Sequence, residues 1–173
     1  MSSTKQGGWP RGCYRDRLLF SDGEVIVWEW RSNLVVDTAR LLIAGFMRGD
    51  GPSGIQRLLI GRGQAEWDLG STPQPVRSNH ELIDPSPFEI VLTSNEIKYL
   101  DAAGNPTPGP TPRLRVVVTL GAGEPPGDDP YPLREFGLFG SFGGDAYMIN
   151  YVRHGVIQKP GDATLERTIQ LVF

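Results

Sequence analysis

One cysteine among 173 residues excludes an intramolecular disulfide. Cys13 has no second cysteine and no histidine near it, so a thiolate metal knuckle is excluded as well. Histidine is almost as scarce: His80 and His154 stand apart, and neither has a ligand-spaced partner. Cys13 lies in a polar N-terminal stretch that offers a thiol–imidazole pair no frame. No apolar run approaches the ~20 residues of a membrane helix, so no membrane insertion is expected. The start is polar and lacks a hydrophobic signal core, so no cleavable export signal is expected. A net charge of −3 gives no strong field toward nucleic acid, which is not an expected partner. There is no internal repeat and no low-complexity domain.

Glycine and proline are plentiful instead, 22 and 15 residues, well above their usual joint share of about 12%. That argues for many turns and an α+β, mostly β fold: an antiparallel, β-sandwich-like domain with long Pro/Gly-rich loops. Residues 1–22 are expected to form an extended N-terminal arm, with Lys5, Arg11, Arg15 and Arg17 against Asp16 in its first twenty. Residues 23–173 are expected to form the single domain. Residues 24–32, "EVIVWEWRS", alternate β-branched and aromatic residues and predict a strand. Over 32–51 the period changes. Leu34, Val35, Thr38, Leu41, Leu42 and Gly45 fall on one helical stripe, flanked by Ile43, Phe46 and Met47. Ser32 or Asn33 is the expected N-cap, and Arg48–Gly49 the expected end. Further strands are expected near 55–60, 87–93, 96–100, 114–121, 133–139, 146–153 and 164–173.

Motifs for nucleotide chemistry fail on context. "GRGQAE" (61–66) follows a strand but has Glu66 where a dinucleotide loop needs glycine, and turn-like sequence follows it. There is no Walker lysine motif and no G-x-S-x-G. Two carboxylate pairs remain, Glu66 with Asp68 and Asp128 with Asp129. Both lie in turn-like sequence and read as solvated turn acids. A small hydrolase would have to use Glu66, Asp68 or Glu135.

Glu135 is the odd one, an acid opening an apolar run inside "PLREFGLFGSFGGDAYMINYV" (132–152). Alternation puts Leu133, Glu135, Gly137 and Phe139 on one face, and Arg134, Phe136 and Leu138 on the other. Gly137 leaves room beside the carboxylate, which can accept from loop N–H groups or an arginine. Glu135 is therefore expected to anchor a loop to the sheet. Catalytic, cofactor and metal residues are expected to be none. The residues expected to carry structure and interfaces are Trp28, Trp30, Trp67, Asp68, Arg134, Glu135, Phe136, Leu138 and Phe139. An alternative is a carbohydrate-binding β-sandwich in which Trp9, Trp28, Trp30 or Trp67 stacks on sugar, Trp28 and Trp30 sharing a strand face.

Three segments, in order, resemble the tail-collar and tail-fibre N-terminal-domain proteins of contractile phage tails and phage-tail-like injection systems. They are "NLVVDTARLLIAGFMRGDG" with "GIQRLLIGRGQAEWD", then "PLREFGLFG", then "MINYVRHGVIQKPGDATLERTIQLVF". The resemblance covers about residues 32–173. It implies a non-enzymatic structural component at a baseplate, collar or fibre attachment point. Its partners would be other tail, baseplate or collar proteins and further copies of itself in a symmetric ring. It would be made in the bacterial cytoplasm and end in the virion tail or particle. With no shaft or tip after Phe173, an adaptor is expected rather than a whole fibre, with residues 1–22 as a docking strap.

Overall fold

The computed structural model describes residues 9–173. The elements run β1 (Arg11–Leu19), β2 (Val25–Val27), β3 (Arg31–Val35), α1 (Thr38–Arg48), β4 (Ser53–Gly61), a 3₁₀ turn (Ala65–Leu69), β5 (Phe88–Val91), β6 (Ile97–Leu100), β7 (Pro106–Thr107), β8 (Arg113–Leu120), β9 (Tyr131–Phe142), β10 (Asp145–Lys159) and β11 (Thr164–Val172). The protein is α+β and mostly β, with one α-helix and one antiparallel sheet among the described residues. The strand order is β5-β4-β9-β10-β3-β1-β11-β8-β6-β7, with β2 also on β1.

β3 is the corner where the sheet passes from one half to the other. Its first residues pair with β1 (Arg31 opposite Tyr14, Asn33 opposite Gly12), and its last with β10 (Val35 opposite Asn150). The halves then face each other across one core. Leu58, Phe136 and Leu138 come to it from one side, and Tyr14, Val116 and Ile169 from the other. The Tyr14 ring meets Phe136 edge-on at 5.1 Å between centroids. β9 is buried on its other face too, where Phe139 packs with Val36, Leu82, Met148 and Tyr151.

The expected N-terminal arm is overturned for its described part. Residues 11–19 form a nine-residue strand between β3 and β11, with Tyr14, Asp16 and Leu18 buried. Its period-2 pattern puts the arginines at 11, 15 and 17 on the outer face alone. The Lys5 end of the arm lies outside the described residues. Deleting residues 1–20 would remove a central strand of the sheet.

The helix is a second correction. It begins at Thr38, because residues 31–35 are held in the sheet by β1 and β10. Ser32 and Asn33 therefore cap nothing. Asp37 stands at the N-cap without a side-chain bond, and Thr38 Oγ1 instead donates to the Met148 carbonyl at 2.6 Å. The end is as expected: Gly49 is left-handed (φ 83°), and its N–H returns to the last turn. Ala39, Leu42 and Gly45 face inward, whereas Leu41, Ile43, Phe46 and Met47 are exposed. The "GSFGG" turn closes the β9–β10 hairpin on Gly143 and Gly144, both at positive φ.

Candidate functional site

Residues 61–86 leave the end of β4 and lie across β9 and β10, and Glu135 ties them down. Its Oε1 accepts the Asp84 N–H at 2.7 Å, and its Oε2 accepts the Ile83 N–H at 3.1 Å and the Tyr151 hydroxyl. Glu135 is fully buried. Asp84 in turn accepts the Arg62 N–H at 2.7 Å and the Ser86 N–H at 2.9 Å, fixing both ends of the loop. Alongside, Arg134 makes a two-pronged bond to Asp68 at 2.9 and 2.6 Å and donates to the Arg62 carbonyl. That guanidinium holds the Asp68 carboxyl below the usual carboxylate range. Arg153 donates to the Tyr151 hydroxyl at 2.9 Å and lies over the Trp67 ring at 5.3 Å.

Gly61 and Gly63 explain "GRG". A Cβ on Gly61 would stand 2.6 Å from Glu135 Oε1, and one on Gly63 2.5 Å from the Trp67 ring. The glycines admit close approach of side chains to the loop. At β9 the expected alternation breaks: Leu133 joins Phe136 and Leu138 in the core, while Arg134 and Glu135 both reach the 61–86 segment. The pairing with β10 slips here, between Arg153 and Ile157. Chemically the site is a clasp. The Glu135 oxygens are occupied, and the Tyr151 hydroxyl is pushed above its ordinary range by burial and by its bond to Glu135.

A second buried polar group lies between the two sheet halves. Arg167 donates to Asp16 through Nε (2.7 Å) and Nη2 (2.8 Å), with its guanidinium 3.9 Å from the centre of the Phe136 ring. Nη2 also meets His154 Nε2 at 3.2 Å, which makes Nε2 the acceptor and leaves the ring proton on Nδ1, 2.7 Å from the Gly155 carbonyl. Burial, then the Arg167 charge, lowers the His154 pKa to about 4. The sign follows. Above an ordinary pKa near 6.5 the ring is neutral in both states. As pH falls from there toward 4, the unfolded chain takes a proton that the folded chain refuses. Stability is therefore expected to fall by about 3 kcal/mol across that window. His154→Gln keeps an acceptor for Arg167 and should flatten the slope in urea titrations between pH 6.5 and 4.5.

The remaining expected residues are dispersed. Trp28 packs at the core margin, and Trp30 lies under Arg15, 4.9 Å from its guanidinium. The strand expected to carry both is interrupted between β2 and β3. Trp67 is buried in the clasp, and Trp9 has Arg40 and Arg77 over its ring at 4.3 and 4.2 Å. Glu66 is exposed, Asp128 pairs with Arg62, and Asp129 accepts the Gly161 N–H. His80 is exposed; Cys13 is half-buried on β1, where burial raises its thiol pKa. Comparison with family models, curated proteins and solved structures gave no match. Among the described residues no cluster of three or more His, Cys, Asp or Glu is placed to hold a metal, and no helix is long and apolar enough to cross a membrane. Sequence reasoning missed Asp16, Asp84, Tyr151, Arg153, His154 and Arg167.

Proposed function

We propose that the chain is a non-catalytic structural subunit of a phage tail or phage-tail-like contractile particle. It acts there as an adaptor at a baseplate, collar or fibre attachment point, bound to other tail proteins and to its own copies. The observation that carries this reading is the unpartnered apolar face of α1. Phe46 is 71% and Met47 80% exposed, with Leu41 and Ile43 beside them. The face borders an apolar groove of about 210 Å³ between α1, the start of β4 and Phe173. A soluble monomer gains nothing from such a patch, whereas an assembly subunit buries it. The order of the three resembling segments supplies the kind of assembly.

Replacing both residues, Phe46→Ser with Met47→Ser, is the test. Stability should change by no more than about 0.5 kcal/mol, as at other exposed sites. Incorporation of the tagged subunit into particles, counted by electron microscopy, should be lost. Normal incorporation of this variant would sink the reading.

A further inference from the structure

The outer face of the second sheet half is strongly basic. Opposed residues on β1, β11, β8 and β6 place Arg11, Arg15, Arg17, Arg113, Arg115 and Lys98 on one surface, with Cys13 opposite Gln170, Gln170 opposite Arg115, and Arg115 opposite Lys98. Arg15, Arg17, Arg115 and Lys98 face outward because their neighbours in sequence, Tyr14, Asp16, Leu18, Val116 and Ile97, pack inward; Arg11 and Arg113 follow by register, on either side of Val172. On these four strands one acid, Glu166, shares that face. Glu96 at its margin is taken up by the Thr93 N–H and hydroxyl. Strands about 4.8 Å apart bring these cations within about 20 Å of one another. At low salt that is inside the range of their repulsion.

The opposite charge is gathered at one end of the same molecule. The β1–β2, β8–β9 and β10–β11 loops are tied together there: Ser21 donates to Asp162, Gly123 N–H to the Gly161 carbonyl at 2.6 Å, and Gly161 N–H to Asp129 at 2.8 Å. These loops expose Asp22, Glu24, Glu124, Asp129 and Asp162. The one lysine beneath them, Lys159, is buried and spends its ammonium on the Gly121 and Pro160 carbonyls. The acid end is thus preformed and carries net negative charge.

We infer that the basic face receives the acidic loop end of a second copy of this chain. Face and end are different surfaces, so the contact is heterologous and repeats from copy to copy, closing a ring or extending a filament. The inference rests on the assembly-subunit reading only for the presence of many copies; the charge pattern itself stands without it.

Sedimentation of the purified chain tests it. The wild type should self-associate in about 20 mM salt and dissociate near 1 M NaCl, where the screening length falls to about 3 Å. Arg15→Glu/Lys98→Glu spoils the face, and Glu24→Lys/Asp162→Lys spoils the end. Each alone should weaken self-association by about tenfold or more. Mixed together, the two variants should recover a one-to-one complex, because each keeps the surface the other lacks. If a charge reversal fails to fold, Arg15→Gln/Lys98→Gln and Glu24→Gln/Asp162→Asn take its place. A wild type that is monomeric at low salt, or mixed variants that stay apart, overturns the inference. So does a monomer that instead binds duplex DNA through Arg15 and Lys98. Salt-sensitive self-association in a chain that particles do not incorporate would leave this inference standing and remove the function proposed above.

Discussion

Glu135→Ala is expected to cost about 3–6 kcal/mol. Three donors converge on this carboxylate: the Ile83 and Asp84 N–H groups and the Tyr151 hydroxyl. Each is left without its acceptor in a site closed to water, at about 1–3 kcal/mol apiece, less whatever the loop recovers by opening. A domain of this kind has only about 5–15 kcal/mol of stability in all. The loss should appear in urea unfolding and as early protease cleavage within residues 61–86. Glu135→Gln offers one acceptor oxygen in place of two and turns an N–H₂ toward the donors, so it should lie between wild type and alanine. A change below about 1 kcal/mol in the alanine variant would show that the loop is held by Arg134–Asp68 and Asp84 without Glu135.

The role of Glu135 was legible because it depended on local facts. An acid in an apolar strand has to find donors, and the nearest donors are in a loop; the room beside it comes from Gly61 and not, as expected, from Gly137. Which loop was not legible, since Ile83 and Asp84 lie 52 and 51 residues away in sequence. The strands that carry the core were visible by alternation, as in residues 114–121 and 164–173. β1 is not legible as a strand from composition. Its outward arginines dominated its inward Tyr14, Asp16 and Leu18, and composition outweighed period. The same lesson applies to Arg167. In "TLERTIQLV" it alternates with Leu165, Ile169 and Leu171, a cation on the apolar side of a strand. Such a cation needs an inward acid, and Asp16 occupies that position in β1. The start of α1 was hidden because helical periodicity across residues 34–45 does not register the pairing of 31–35 with two other strands.

Asp16→Ala is expected to destabilise the protein by about 3–5 kcal/mol, because it leaves the Arg167 charge buried without a counter-ion. His154 cannot substitute, since it is neutral and accepts through one nitrogen only. Replacing both members, Asp16→Leu with Arg167→Met, should recover most of the loss, as an apolar pair of similar volume removes both desolvation costs. Urea unfolding of the two variants at pH 7.5, where His154 is neutral in both states, separates the effects; a single variant within about 1 kcal/mol of wild type would refute the argument. What the pair contributes beyond stability is register. Asp16 stands opposite Arg167, with Arg15 and Arg17 on the outer face to either side. A slip of β1 by one residue would turn Asp16 outward and carry an arginine inward against Arg167, two buried cations with no acid between them. The double variant relaxes that penalty only in part, because Arg15 and Arg17 still cannot enter the core. Its β1–β11 amides should therefore keep their order of hydrogen-exchange protection, while exchanging faster than those of β9 and β10.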